Sequence, residues 1–161
     1  MRHRLITILY CFLSLLHTPV YAETDDVTLS VWANEAIVAT YTYTYQDFLA
    51  RQKAIAHYFT SNGWIAYSKA LLESKLPESI QKNEYAVSAV ATAPPQITLL
   101  REHYWQAHMP ILVVYKNPKY EQQQVLAVTI VLTDIAPSQG VRGFAIESLQ
   151  TKVIKKPCEC K

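Results

Sequence analysis

The sequence predicts an α+β fold in which three N-terminal helices pack on a curved antiparallel sheet of four to five strands. Apolar residues near the start recur at spacings of three and four, which places them on one side of a helix; they are Leu29, Trp32, Ala36, Ala39 and Tyr43. From Tyr85 onwards the apolar residues alternate with a period of two, as in half-buried strands. Because the helical stripe must be buried against another element, we expect the sheet to cover it.

Residues 1–22 have the pattern of a secretory signal peptide. Two arginines give a positive start, residues 5–16 form a mostly apolar run of 12, and cleavage is predicted after Ala22. The competing interpretation is an uncleaved membrane anchor, but a spanning helix needs roughly 20 apolar residues. We therefore expect export without a stable membrane anchor, followed by a mobile lead over residues 23–28.

The charge balance disfavours nucleic acid as a partner. Without residues 1–22 the chain has 13 basic and 13 acidic residues, and its basic residues cluster only near the end, at Lys152, Lys155 and Lys156. Proteins that bind phosphate backbones carry a basic face. The whole chain has three glycines, none of which lies in a phosphate-binding loop. What remains after export suits one domain.

The first predicted helix runs from about residue 27 to residue 45. Its last five residues alternate aromatic and β-branched side chains, which by local propensity favours a strand. We assign them to the helix because the alanine-rich run before them contains no helix breaker, and strand propensity is easily overridden by context.

Two further helices are predicted before the sheet. The second covers residues 48–59. The third begins after an N-cap at Thr60 or Ser61, whose side chain can accept a hydrogen bond from a free amide of the first turn. Pro77 is expected to end the helical half, near a polar connector over residues 73–84.

Five strands follow in the predicted order of an antiparallel meander. They cover residues 85–91, 96–101, 105–115, 122–133 and 144–151. The third carries Trp105, Ala107, Met109, Ile111, Val113 and Tyr115 on one face, and the fourth carries Leu126, Val128, Ile130 and Leu132. Pro110 predicts a bulge or an edge position, because proline cannot donate a hydrogen bond to a sheet.

Five phrases of the sequence together resemble the DotI/IcmL family, whose members are similar to the TraM proteins of conjugation systems. They are residues 31–43 (VWANEAIVATYTY), 58–64 (YFTSNGW), 87–92 (VSAVAT), 105–115 and 142–146 (RGFAI). The resemblance covers an IcmL-like domain over residues 29–151. It implies a nuclear transport factor 2-like cone, located in the periplasm and belonging to a type IVB (Dot/Icm-type) secretion apparatus. It also implies a non-catalytic scaffold that binds protein subunits of an inner-membrane complex, and a homo-oligomer is compatible with it.

One departure from the family pattern lies at the N-terminus. Family members normally carry a cytoplasmic segment and a full transmembrane helix before this domain, whereas here a short cleavable signal precedes it. We therefore expect a free periplasmic protein that binds the apparatus, competes with its anchored subunit, or serves elsewhere.

Catalytic, metal and cofactor sites are not predicted. His57, His103 and His108 have none of the spacings typical of metal ligands. The alternative function is a small periplasmic enzyme or ligand carrier that uses a pocket of the cone, with His103 or His108 acting beside Asp47 or Asp134. Nothing in the spacing of these residues singles them out.

The tyrosines of the first helix suggest an interaction surface. Residues two apart on a helix diverge by about 200°, so Tyr41, Tyr43 and Tyr45 cannot all be buried on one side of it. At least one is expected to be exposed or to cover a partner, and aromatic residues with a polar tip are favoured at interfaces. We place the predicted interface around Tyr41 and Tyr45.

The predicted tail, residues 152–161, contains the two cysteines that remain after signal cleavage, Cys158 and Cys160. Three interpretations stay open: a strained, easily reduced bridge between them, bonds to a partner or a second copy, or a solvated tail without a role.

Overall fold

The computed structural model describes residues 25–136 and 138–159, with side chains described only as far as residue 154. Within these residues four α-helices and a short 3₁₀ turn accompany six strands. The helices are α1 (Asp26–Thr40), α2 (Phe48–Ile55), α3 (Ser61–Glu73) and α4 (Leu76–Asn83), and the 3₁₀ turn is Ala56–Tyr58. The strands are β1 (Tyr43–Thr44), β2 (Ala86–Ala91), β3 (Gln96–Arg101), β4 (Tyr104–Asn117), β5 (Tyr120–Asp134) and β6 (Phe144–Glu159).

The strands form one curled antiparallel sheet with the order β1-β2-β4-β5-β6, while β3 also pairs with β4. The hairpin of β4 and β5 is its centre and pairs from Tyr104 opposite Thr133 to Asn117 opposite Tyr120. Between β5 and β6 the register shifts three times. Such irregularities bend a strand and increase its twist, which helps the sheet to curl around the helices. The predicted α+β class and curved antiparallel sheet are confirmed.

The core lies between α1 and the concave face of the sheet. Leu29, Trp32 and Ala36 of the predicted stripe are at most 1% exposed. The predicted faces of β4 and β5 meet them, and from Ala107 to Val113 every second residue of β4 is fully buried. The alternation of apolar side chains therefore identified the inward face of both central strands.

Pro110 lies where one edge of β4 changes partner. On that edge the pairing with β2 ends at Ile111 and the pairing with β3 begins at His108. The Pro110 carbonyl accepts a hydrogen bond from Thr92 N on the same side. Since N–H and C=O of a strand residue point the same way, the missing N–H faces this gap between the two partners. The predicted bulge or edge position is wrong, because β4 is a central strand that pairs with β5 through Pro110 without a register shift.

The helical assignment of residues 41–45 is wrong. Helix α1 ends at Thr40, and Tyr43–Thr44 form β1, paired with Val87 and Ala86 at the edge of the sheet. Asp47 fixes the next turn, because its carboxylate accepts hydrogen bonds from both the amide and the hydroxyl of Thr44. The alternation of aromatic and β-branched residues prevailed since β2 offered an edge to pair with.

The predicted connector over residues 73–84 is also wrong, because most of it is helix α4. Pro77 lies in the first turn of that helix, where its missing amide costs no hydrogen bond. Ile80 of α4 is completely buried. The predicted cap of α3 is confirmed, since Thr60 Oγ1 accepts a hydrogen bond of 3.0 Å from Gly63 N.

The last strand is longer than predicted. Strand β6 continues from Phe144 to Glu159, so residues 152–159 pair with β5 and are not a free tail. The backbone of Cys158 lies opposite Gln123. The side chain of Cys158 and all of Cys160 lie outside the described residues, and the interpretations of this pair stay predictions.

In the described part of the chain, none of the helices has the length and apolar character needed to cross a membrane.

Candidate functional site

Two of the three tyrosines singled out by sequence are only partly buried. Tyr43 is 4% exposed and packs edge-on against Phe48, with ring centroids 5.2 Å apart. Tyr41 and Tyr45 are half-buried and border different cavities. The structure therefore separates the two residues of the predicted interface.

Tyr41 joins the end of α1 to β6. Its hydroxyl shares a hydrogen bond with Thr151 Oγ1. Burial raises the pKa of Tyr41 to about 12, against the opposing effect of this hydrogen bond. The hydroxyl of Tyr41 thus has a partner within the chain, at the surface beside a cavity of about 580 Å³ that Tyr67 and Tyr115 also line.

Tyr45 lies at the rim of an apolar groove between α2, α3 and α4. The groove has a volume of about 660 Å³, within the range of ligand-sized clefts. Its rim is held by backbone contacts, because Tyr45 N donates to Tyr85 O at 2.9 Å and Gln81 Nε2 donates to Tyr45 O at 2.6 Å. We call this feature the α2–α4 groove.

Exposed apolar side chains border the α2–α4 groove on two sides. Leu49 of α2 is 80% exposed and Leu72 of α3 is 70% exposed. Trp64 and Leu71 continue the wall on α3 and are only partly buried. Clustered apolar exposure of this kind marks a binding surface more than scattered single residues do.

Helix α3 explains why these side chains stay accessible. It is fixed to the sheet at its start, where Thr60 N donates to Ile146 O at 3.0 Å. A Cβ atom on Gly63 would lie 2.3 Å from the same carbonyl, so only glycine allows this approach. Gly63 is the one fully buried residue of α3. The helix is anchored by its first turn, while its apolar side chains are incompletely covered.

A different set of contacts joins α1 to the 3₁₀ turn and to the segment before β6. Trp32 Nε1 donates to Val141 O at 2.7 Å, and Tyr58 Oη donates to Glu35 Oε1 at 2.6 Å. Arg142 forms an ion pair with the same carboxylate. The Tyr58 hydrogen bond and Arg142 hold the pKa of Glu35 below its usual value. We call this set the Trp32–Arg142 clasp.

The histidines lie apart from both features. His103 contacts Asp134 at 2.8 Å on an open surface, and this partner raises the pKa of His103. His108 is exposed and its ring nitrogen lies 2.9 Å from Thr129 Oγ1, while Asp47 interacts with Thr44 and Arg51. His57 is exposed on the 3₁₀ turn. Of the residues proposed for the enzyme alternative, the fold therefore brings together only His103 and Asp134, outside any enclosed pocket.

Metal ligation has no support in the described part of the chain, where no group of three or more histidine, cysteine and acidic residues is arranged so that it could hold a metal ion. Sequence reasoning missed Leu49 and Leu72 as surface residues. Their apolar character gave no signal, since the same character is typical of a core.

Comparison with known proteins gives a consistent result. Residues 11–153 match the profile of a family described as "Type-IV b secretion system, inner-membrane complex component". This match begins inside the segment predicted as a signal peptide. The chain is 59% identical to an IcmL-like type IV secretion system protein of Legionella pneumophila subsp. pneumophila strain Philadelphia 1, with a TM-score of 0.79 over 84% of this chain and 98% of that one.

Two more solved structures extend the comparison. The periplasmic domain of DotI is 29% identical, with a TM-score of 0.75 over 82% of this chain and 98% of that one. CagV of Helicobacter pylori strain 26695, a VirB8 homologue, shares the fold at 12% identity, with a TM-score of 0.65 over 81% of this chain and 100% of that one. No curated protein sequence matches the chain.

The matched profile spans most of the chain, and the fold predicted from the family resemblance agrees with these relatives. The chain belongs to the DotI/IcmL family of type IVB secretion system components.

Proposed function

We propose that this protein is a non-catalytic interaction domain that binds protein subunits of an inner-membrane type IV secretion complex from the periplasmic side. The observation that carries the proposal is the similarity to an IcmL-like secretion protein at 59% identity over 84% of the chain. The DotI relative was solved as a periplasmic domain, which supports the same compartment here. The exposed apolar α2–α4 groove supplies a surface of the kind that a partner covers.

The enzyme or ligand-carrier alternative has weaker support. It requires a roomy cavity in which a histidine faces an acid. The concave face of the sheet is filled by side chains such as Met109, Ile111 and Ile130, which are fully buried. His103 and Asp134 do meet, but on an open surface. The secretion component is therefore the better account.

We also propose that the protein is released into the periplasm by cleavage after Ala22. The short apolar run of residues 5–16 supports a signal peptide over a membrane anchor. The interface around Tyr41 and Tyr45 belongs to the same proposal. Because the Tyr41 hydroxyl is engaged by Thr151, Tyr45 is the residue of the pair that offers its ring at a groove rim.

The test is affinity purification of the C-terminally tagged protein from detergent-solubilised envelopes of its own host, with mass spectrometry of the co-purifying proteins and of the N-terminal peptide. We expect inner-membrane secretion subunits and a chain that starts at Glu23. Recovery of the protein without any secretion subunit would refute the interaction. Retention of residues 1–22 on the purified protein would refute the cleavage.

A matched pair of variants tests the interface. Tyr45→Ala is expected to reduce the amount of co-purified subunit. Tyr41→Ala is measured beside it, at the residue that lines the other cavity. Unchanged recovery with both variants would remove these tyrosines from the interface.

A further inference from the structure

Two polar side chains at the α2–α4 groove lack hydrogen-bond partners. The amide nitrogen and oxygen of Gln52 and the hydroxyl of Ser68 are buried, yet none makes a hydrogen bond within the described residues. Burial raises the pKa of Tyr67, and the nearby Gln52 opposes this rise, but the contact misses the geometry of a hydrogen bond. Buried polar groups without partners are rare and costly, so they need an explanation.

The position of Gln52 offers that explanation. Gln52 and Ser68 both line the groove. An occupant of the groove therefore lies next to the amide that lacks partners within the described residues. A glutamine amide carries one acceptor and one NH₂ donor, which match the N–H and C=O that one residue of an extended strand presents on the same side. An extended segment has both of these backbone groups free, whereas a helix uses them within its own hydrogen-bond ladder.

The charge around the groove restricts the occupant further. Of its twelve lining residues, Glu78 is the one with a charged side chain, and it lies at the α4 side. The remaining walls are apolar or neutral, with Leu49 and Leu72 presenting large accessible side chains. A charged segment would lose hydration without gaining a partner here, whereas a basic residue at one end would find Glu78.

We propose that the α2–α4 groove binds an extended, uncharged apolar peptide segment of an inner-membrane secretion subunit, with the backbone N–H and C=O of one residue hydrogen-bonded to Gln52 and apolar side chains seated between Leu49 and Leu72. This inference rests on the proposed function, and it assigns that function a surface and a class of ligand. A basic residue beside the segment pairs with Glu78.

Site-specific photocrosslinking in the host tests this assignment. A photocrosslinking amino acid replaces Leu49 in one strain and Leu99 in a control strain; Leu99 is 64% exposed on β3, away from the groove. We expect an adduct from position 49 but none from position 99, with the attachment point mapped by mass spectrometry to an apolar segment of an inner-membrane secretion subunit.

The outcomes separate the groove from the function. If tagged wild-type protein recovers secretion subunits but position 49 gives no adduct, the groove assignment is wrong and the proposed function stands. If wild-type protein recovers no secretion subunit, the proposed function fails. An adduct between two copies of this chain, or an adduct to a charged segment, overturns the stated occupant.

The Gln52→Leu variant gives an independent test with two readouts. Removing a buried amide without partners should raise Tm of the purified protein by about 3 °C. The same change should lower the yield of the position-49 adduct about fivefold, since the hydrogen bonds to the backbone of the bound segment are lost. A lower Tm would show that Gln52 serves the fold, and an unchanged adduct yield at higher Tm would remove Gln52 from recognition.

Discussion

The Trp32–Arg142 clasp and the α2–α4 groove are formed by different residues of the helical half, and they differ in how far their polar and apolar groups are satisfied within the chain. In the clasp, the indole N–H, a carboxylate and a tyrosine hydroxyl all find partners within the chain. In the groove, large apolar side chains are exposed and buried polar atoms lack partners. The clasp is satisfied by contacts within the chain. The groove has the exposed apolar groups and unpaired polar atoms that are typical of a surface that binds another molecule.

We expect the largest loss of stability from a substitution at the centre of the clasp. Trp32 is 1% exposed, and its ring packs edge-on against Tyr58 and Phe144. Trp32→Ala should lower the free energy of unfolding by about 3–5 kcal/mol, because it removes a large core side chain and leaves a cavity. Urea unfolding measures this loss. The control Val31→Ala, at a residue 56% exposed, should change stability by about 0.5 kcal/mol or less.

A smaller loss is expected where the groove helix is fixed to the sheet. Gly63→Ala places a methyl group against the Ile146 carbonyl, 2.3 Å away, and backbone atoms cannot move aside as a flexible side chain can. We expect a destabilisation of about 1–3 kcal/mol by urea unfolding. Asn62→Ala, at the exposed neighbouring position, is the matched control. Equal stability of the two variants would mean that α3 is not held by this contact.

The two tyrosines should differ when their hydroxyls are removed. Tyr41→Phe breaks the hydrogen bond to Thr151 and should cost about 1 kcal/mol in unfolding free energy. Tyr45→Phe removes only an exposed contact with its neighbour Gln46, so its stability should stay near that of the wild type. A larger loss of stability from Tyr45→Phe than from Tyr41→Phe would contradict the assignment of Tyr41 to the fold and of Tyr45 to the groove rim.

The smallest predicted effect depends on pH. The folded pKa of Glu35 lies below its usual value of 4.5, owing to Tyr58 and Arg142. Its stabilising contribution is therefore complete above about pH 4.5 and is lost as the pH falls through the lowered pKa. Since the Glu35 carboxylate is 45% exposed, the contribution is expected to be about 0.5 kcal/mol.

The measurement compares wild type and Glu35→Gln by urea unfolding from pH 3 to pH 7. The stability gap should be present at neutral pH and close at the acidic end. Glu73→Gln, in an exposed pair with Lys69, is the control and should show a smaller gap. A gap that widened towards low pH would reverse the assigned sign.

Sequence patterns predicted the parts of the fold that repeat over many residues. The alternation from Trp105 to Tyr115 identified a strand and its buried face, because every second residue from Trp105 to Val113 is buried. The cap at Thr60 was predictable because a side-chain oxygen three residues before Gly63 suffices for it. Neither feature depends on the rest of the molecule.

Other features depended on distant parts of the chain. Strand β1 has two residues, and it exists because β2 presents an edge to Tyr43 and Thr44. Helix α4 was hidden by Pro77, which the first turn of a helix tolerates. The groove could not be predicted from the sequence either, since the exposure of Leu49 and Leu72 follows from how α2, α3 and α4 pack together.

We infer that partners bind at the groove and that the clasp serves the fold. Quantitative mass spectrometry of proteins co-purified from host envelopes tests it, with wild type, Leu49→Ser combined with Leu72→Ser, and the surface control Leu99→Ser compared at equal protein level. We expect the groove variant to lose most of the secretion subunits while the control retains them. Full recovery by the groove variant, or equal losses from both variants, would contradict it.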